Sequence, residues 1–202
     1  MGAPTSYERA LAALLCKRFS SLEKVRFCNS GTEANLMALS TARVVTGRDK
    51  LLVFNEAYHG GVIKFPGGHC ALNIPFDFVL ADYNDIEGTA ELIDQVGDQL
   101  AAVLIEPILG AGGNIRGDRQ FLQMLRQKTR EYGILLIFDE IKTARLGSAG
   151  VQGMLGIAPD LTTLGKFIGG GLPTGAFGGS AEIMAQFNPR LPGALAHAGV
   201  PA

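Results

Sequence analysis

This sequence of 202 residues has no long hydrophobic run and no tryptophan, and its net charge is only −1. No run of about 18 apolar residues occurs, and residues 1–6 lack the basic-then-apolar pattern of a signal peptide. Neither membrane insertion nor export is therefore predicted. The 18 basic residues nearly balance the 19 acidic ones, so the sequence lacks the excess of basic residues that would indicate nucleic-acid binding. We expect the partners to be small molecules or other subunits.

Cysteine is also scarce. Cys16, Cys28 and Cys70 are far apart and form no C-x-x-C pair, which disfavours a disulfide framework. The histidines match no short zinc-ligand spacing, alone or with Cys70, so no metal site is predicted at His59, His69 or His197. Unpaired thiols favour a reducing compartment, and we expect a cytoplasmic protein.

The sequence does contain short apolar runs that alternate with amphipathic segments. Four runs are typical of strands buried on both faces of a parallel sheet, and a fifth short strand is predicted near the N-terminus: 51–54, 76–80, 101–105, 134–138 and 24–27. Apolar residues recur at helical spacing in four segments: 6–19, 31–46, 85–96 and 118–132. The expected fold is α/β, a mostly parallel sheet flanked by helices, in one domain over residues 1–202.

A strand-to-helix turn at residues 29–33 offers hydroxyls and free backbone N–H groups at the positive end of a helix dipole. Such a turn can hold a phosphate. The alternative is a capping box, in which Ser30 caps the helix and Glu33 reaches back to the Ser30 N–H; one turn can do both. Neither G-x-x-x-x-G-K-[ST] nor G-x-G-x-x-G is present, which disfavours ordinary nucleotide binding.

Three other positions could contribute to chemistry. Asp139 directly follows an apolar run, so its carboxylate is expected at the carboxyl end of a buried strand, where ligands bind; the alternative is a helix cap or loop residue. Lys166 is the only charged residue within 161–181, which predicts a desolvated amine that can attack an aldehyde rather than an exposed loop lysine. Tyr58 could stack on a flat cofactor or simply be packed.

Taken in order, these segments resemble the signature series of class III aminotransferases, a similarity carried by NSGTEAN, YHG, EP, DE and LGK at 29–35, 58–60, 106–107, 139–140 and 164–166. The branch of glutamate-1-semialdehyde aminomutases and β-amino-acid aminotransferases is the most similar, through residues 138–140 and 164–173. The resemblance runs from about Tyr7 to His197. It implies the large cofactor domain of fold-type I enzymes, pyridoxal 5'-phosphate as cofactor, and a homodimer or higher homo-oligomer.

The resemblance also implies a role for each matched position. Lys166 would carry the cofactor as a Schiff base and, with Asp139, form the catalytic pair, because Asp139 would hold the proton on the pyridine nitrogen. Ile141 would cover one ring face, at a position where the family usually has valine. The full set implied to bind the cofactor is Ser30, Gly31 and Thr32 at the phosphate, Tyr58 on the second ring face, and His59, Glu106, Asp139, Ile141 and Lys166.

The function implied is amino transfer from an amine donor to a carbonyl acceptor, with an aminomutase-type internal shift as the alternative. Full-length relatives carry an N-terminal segment and a smaller C-terminal domain, and both are expected to be absent here. Val200 stands where the family has a threonine that reaches the phosphate of the partner subunit, and valine cannot donate that hydrogen bond. A cofactor-binding fragment without turnover is therefore the third hypothesis.

Overall fold

The structure, a computed structural model, describes residues 5–188 and 190–191. Helices and strands alternate along this part of the chain. In order they are α1 Ser6–Arg18, β1 Lys24–Cys28, α2 Gly31–Thr46, β2 Lys50–Phe54, β3 Asp77–Ala81, α3 Ile86–Val96, β4 Leu100–Ile105, β5 Ile108–Leu109, β6 Ile115–Arg116, α4 Arg119–Tyr132, β7 Leu135–Asp139, α5 Gly150–Leu155, β8 Leu161–Leu164, β9 Gly175–Gly179 and α6 Ala181–Met184.

Seven strands form one sheet in the order β1-β9-β8-β7-β4-β2-β3. Strand β9 runs antiparallel to both of its neighbours, and the pairs β8–β7, β7–β4, β4–β2 and β2–β3 are all parallel. The prediction of a mostly parallel sheet is therefore confirmed. A separate antiparallel hairpin joins β5 and β6. Because β8, β7, β4 and β2 are parallel, the residues that follow them meet at one edge of the sheet.

The helix boundaries follow the predicted start and stop signals. Thr5 caps α1, its side chain accepting the Glu8 N–H at 3.2 Å. The helix predicted to end near Gly47 does so, with Gly47 at φ +67° as a left-handed C-cap. Asp85 lies just outside α3 as its cap and accepts the Gly88 N–H. Side-chain and glycine caps satisfy backbone groups that a helix end leaves free.

Strands β8 and β9 were not predicted from the sequence. β8 reads Leu-Thr-Thr-Leu and is buried at every position. Its two threonines interrupt the apolar pattern from which a core strand is predicted. β9 reads Gly-Ala-Phe-Gly-Gly, and glycine normally weakens a strand. Close packing requires these glycines, since a Cβ on Gly175 would lie 2.2 Å from the Ser30 carbonyl oxygen and one on Gly178 2.2 Å from that of Lys24.

The core lies on both faces of the central strands. β4 is buried along its whole length, and Phe54 of β2 packs edge-on against Phe121 of α4 with ring centroids 5.5 Å apart. Such two-sided burial produces the continuous apolar runs that the sequence shows. Among the residues described, no helix combines the length and apolar character needed to cross a bilayer.

Candidate active site

A cavity of about 270 Å³ opens at the carboxyl edge of the parallel strands. Segments that follow β2, β4, β7 and β8 form its wall together with the N-terminus of α2. Its lining consists of Gly31, Thr32, Tyr58, His59, Gly60, Glu106, Asp139, Ile141, Lys142 and Lys166. Eight of the nine positions singled out from the sequence are therefore brought together, and Ser30 is the exception.

Ser30 caps helix α2 instead of lining the cavity. Its Oγ accepts the Glu33 N–H at 3.1 Å, as the capping interpretation predicts. Glu33 accepts the N–H of Asn29 at 2.8 Å, so the prediction that it would reach the Ser30 N–H is wrong by one residue. Gly31 and Thr32 are the first two residues of the helix, where N–H groups have no carbonyl partner within the helix and can donate to a ligand.

Two glycines let the walls of the cavity approach closely. A Cβ on Gly31 would lie 2.5 Å from Cδ1 of Ile141, so only glycine lets the isoleucine cover this turn. Gly60 has φ +131°, and a Cβ there would lie 2.3 Å from Oγ1 of Thr32. The loop after β2 and the start of α2 therefore share one compact surface that side chains would force apart.

Asp139 is buried at the end of β7 with 4% of its surface exposed. Its Oδ2 accepts from Nδ2 of Asn35 and contacts Nδ1 of His59, both at 2.8 Å. Its Oδ1 accepts the Ile141 N–H at 3.1 Å. His59 is itself buried, and its ring helps to hold the carboxylate in place. Three partners thus hold Asp139 in one orientation at the base of the cavity.

Glu106 is the second buried carboxyl group in the lining. It accepts the N–H of Tyr58 and the N–H of Gly110, both at 3.1 Å. Burial raises the pKa of the Glu106 carboxyl, His59 opposes that rise and Asp139 adds to it. Desolvation disfavours the charged form of any carboxyl group. Glu106 therefore ties the loop after β2 to the β4 end while facing the same cavity as Asp139.

Lys166 lies at the cavity, but its surroundings differ from the prediction. The sequence predicts a desolvated amine, whereas Lys166 is exposed in this structure and has φ +49°. Leu164 is buried as the end of β8, while Gly170 and Gly171 lie in an exposed turn. Apolar neighbours in sequence therefore do not surround the lysine in space. Tyr58, another residue of the lining, is 46% exposed and can present a ring face.

No group of three or more His, Cys, Asp or Glu side chains in the described segments is placed to hold a metal ion. His59 lies against Asp139 and His69 against the ring of Phe65. His197 and Val200 fall outside the described residues.

Residues 72–198 match the family Aminotransferase class-III. The chain belongs to this family. Beta-phenylalanine transaminase of Variovorax paradoxus is 51% identical over 192 residues, which cover 95% of this chain and 44% of that protein. Glutamate-1-semialdehyde 2,1-aminomutase 2 of Shouchella clausii is 45% identical over 206 residues, covering 95% of this chain and 48% of that protein. This class III aminotransferase chain thus spans a little under half the length of these relatives.

Solved structures agree with this assignment. The crystal structure of beta-phenylalanine aminotransferase from Variovorax paradoxus superimposes with a TM-score of 0.95 at 49% identity, over 98% of this chain and 46% of that chain. A transaminase with pyridoxal phosphate bound superimposes with a TM-score of 0.89 at 33% identity, over 98% of this chain and 50% of that chain. The predicted resemblance and fold are confirmed for this class III aminotransferase chain.

Two residues of the site have no role in the sequence-based prediction. Asn35, on the face of α2 that packs on the sheet, is fully buried and donates to Asp139 and to the His59 carbonyl oxygen. Its Oδ1 accepts from the Thr163 hydroxyl at 2.7 Å. An asparagine among the core positions of a helix is the signal that could have identified it. Lys142 lines the cavity directly, and no pattern in the sequence distinguishes it from a surface lysine.

Asn35→Ala is expected to destabilise this class III aminotransferase chain by about 1–3 kcal/mol, because partners at Asp139, His59 and Thr163 lose their bonds in a buried place. Urea unfolding gives the free energy. The matched control is Asn55→Ala, which removes only a solvent-accessible bond to Asp82 and should cost less than about 1 kcal/mol. Equal losses of unfolding free energy in the two variants would show that the buried Asn35 amide contributes no more to stability than the solvent-accessible Asn55 amide.

Proposed function

We propose that this chain builds a pyridoxal-phosphate site and, within its whole protein, moves an amino group from an amine or amino acid to a keto acid, aldehyde or ketone. The observation that supports the proposal is that Lys166, Asp139 and the start of α2 line one cavity together. Family membership supports it independently, as class III aminotransferases depend on this cofactor.

The residues present fit the chemical parts of that cofactor. Its phosphate is a dianion, and the first N–H groups of α2 with the Thr32 hydroxyl are donors at a positive helix end. Its flat ring suits a cavity with Tyr58 and Ile141 in the lining. Its ring nitrogen is basic, and Asp139 is the buried carboxylate at the base. Its aldehyde needs a primary amine, which Lys166 supplies.

Each residue then has a defined task. When bound, pyridoxal phosphate supplies an aldehyde that bonds to amines and a protonated ring that takes up the electron pair of a broken C–H bond. Asp139 would keep the proton on the ring nitrogen, and its three partners prevent it from turning away. Lys166 would bind the aldehyde until the substrate amine displaces it. Its freed amine would then carry the proton between the substrate carbon and the cofactor carbon.

Substrate and assembly are further parts of the proposal. A β-amino acid such as β-phenylalanine is supported by the transaminase relative at 51% identity. An aminomutase-type internal shift is the second candidate, supported by the aminomutase relative at 45% identity. A homodimer or higher homo-oligomer is supported by side chains of α1 that lie open to solvent, Tyr7 at 85% and Leu14 at 53%. A cytoplasmic location is supported by the three free cysteines.

Borohydride reduction of the cofactor-loaded protein, followed by peptide mapping, tests the cofactor site. Two lysines line the cavity, Lys166 and Lys142, so the protein contains its own comparison. The cofactor mass is expected on the peptide with Lys166 and not on that with Lys142. Label on Lys142, or a protein that takes up no cofactor, would contradict the proposal.

The reaction itself is tested with β-phenylalanine and a separate keto acid. Transamination transfers the amino group to that acceptor, so the acceptor is expected to become an amino acid in step with loss of the donor. An internal shift would instead isomerise its substrate without any acceptor. A loaded protein whose bound cofactor never becomes the amine form with any donor would leave only the binding hypothesis.

A further inference from the structure

Lys142 is a second lysine in the cavity and has no role in the function proposed above. It follows Ile141 in the turn after β7 and is half-buried. It lines the same cavity as Lys166. Lys166 follows β8, on one side of β7, whereas Lys142 reaches the hairpin of β5 and β6, which follows β4 on the other side. The two amines therefore approach the cavity from opposite sides.

The carboxylates of the cavity are already engaged by other groups. Asp139 accepts from Asn35 and the Ile141 N–H and contacts His59. Glu106 accepts two backbone N–H groups. Among the ion pairs found in residues 5–188 and 190–191, none includes Lys142. Its partner is the neutral side-chain oxygen of Asn114. The ammonium group therefore brings a positive charge that forms no direct ion pair with a carboxylate of the described lining.

The hairpin places this charge at the mouth of the cavity. Asn114 is exposed at the turn between β5 and β6. A Cβ on Gly110, at the start of the same turn, would lie 3.6 Å from Nζ of Lys142 and 2.9 Å from Oε1 of Glu106. The ammonium thus stands beside the Glu106 end of the cavity. An ammonium group has three donors, and the bond to Asn114 leaves two for a ligand.

We propose that Lys142 binds the carboxylate of an amino-acid substrate and makes this site prefer amino acids to simple amines. This inference rests on the proposed function, because it needs the cofactor on Lys166. Once that amine is bonded to the aldehyde, Lys142 is the cation that remains in the described lining. A carboxylate would find there a charge-assisted hydrogen bond in a partly desolvated place. An amine that has no carboxylate would gain nothing from it.

The test compares two substrates that differ only in the carboxylate, β-phenylalanine and 1-phenylethylamine. Lys142→Met removes the charge and nearly keeps the side-chain length. It is expected to raise KM for β-phenylalanine roughly 10- to 100-fold, the factor that corresponds to the net free energy of a hydrogen bond to a charged group. KM for 1-phenylethylamine should stay unchanged. Lys142→Arg should restore part of the difference. A binding readout uses 3-phenylpropanoate, which has no amine to react, and its Kd should rise by the same factor.

The matched control is Lys24→Met, which removes an exposed lysine at the amino end of β1, level with the amino end of β8 and away from the cavity. Cofactor loading of each variant is measured first by borohydride labelling. If Lys142→Met loads normally but behaves like Lys24→Met toward both substrates, this inference is overturned and the proposed function stands. If the unaltered protein does not load, the proposed function fails and this inference falls with it.

Discussion

Lys166→Ala is expected to abolish borohydride-stable attachment of the cofactor and to lower kcat by about 10⁴-fold or more. The side chain lines the cavity at the end of β8, and one amine is proposed to both hold the aldehyde and carry the proton. Proton transfer by a positioned group contributes about 10²- to 10⁴-fold, and loss of the covalent bond adds to that. The rate of amine transfer and the mass of the labelled peptide measure the two effects.

The phosphate turn is untouched in this variant, so cofactor binding without a covalent bond should persist. That expectation separates a chemical loss from a failure to fold. A small primary amine added to Lys166→Ala should return part of the rate, because a free amine can do some of the proton transfer. Lys24→Met, at the opposite edge of the sheet, should keep the full rate. A Lys166→Ala protein that still labels at another lysine would assign the attachment elsewhere.

The central strands were predictable because burial on both faces leaves a simple pattern. β2, β4 and β7 read as unbroken apolar runs, and their observed bounds differ from the predicted ones by one residue at each shifted end. β8 could not be found in this way, since Thr162 and Thr163 are buried through hydrogen bonds and not through apolar character. β9 could not be found either, because its glycines follow from contacts with other strands that no local pattern records.

The location of the cavity was predictable from topology as much as from motifs. Asp139 ends β7 and Glu106 follows β4, the neighbouring parallel strand, so their side chains meet at one edge. Tyr58 follows β2 and joins them there for the same reason. The exposure of Lys166 was not predictable, because apolar neighbours along a chain need not surround a side chain in space. Asn35 and Lys142 depend on contacts across 104 and 28 positions of sequence, which local spacing does not show.

The hydrogen bonds around Asp139 also decide what a neutral substitute would do. Asp139→Asn keeps the shape but has one oxygen and one NH₂ group, whereas both carboxylate oxygens now accept. Turned either way, the NH₂ meets a donor, the Asn35 amide on one side or the Ile141 N–H on the other. Asn35 cannot flip without cost, because its own oxygen accepts from Thr163. A loss of about 1–3 kcal/mol in unfolding free energy follows from the unmet donors.

The catalytic loss in Asp139→Asn should be larger than this structural cost explains. An amide cannot hold a proton on the ring nitrogen, so the ring would accept the electron pair less readily. Removing one group that stabilises developing charge costs about 10²- to 10³-fold, and kcat should fall by that factor.

Asp160→Asn is the matched control. That carboxylate also accepts a backbone N–H, from Leu136 at 2.7 Å, but lies at the amino end of β8. It should lose stability without losing the rate of the loaded protein. Equal rate losses in the two variants would mean that Asp139 acts only by stabilising the fold. A rate loss confined to Asp139→Asn would mean that the carboxylate charge acts on the cofactor ring.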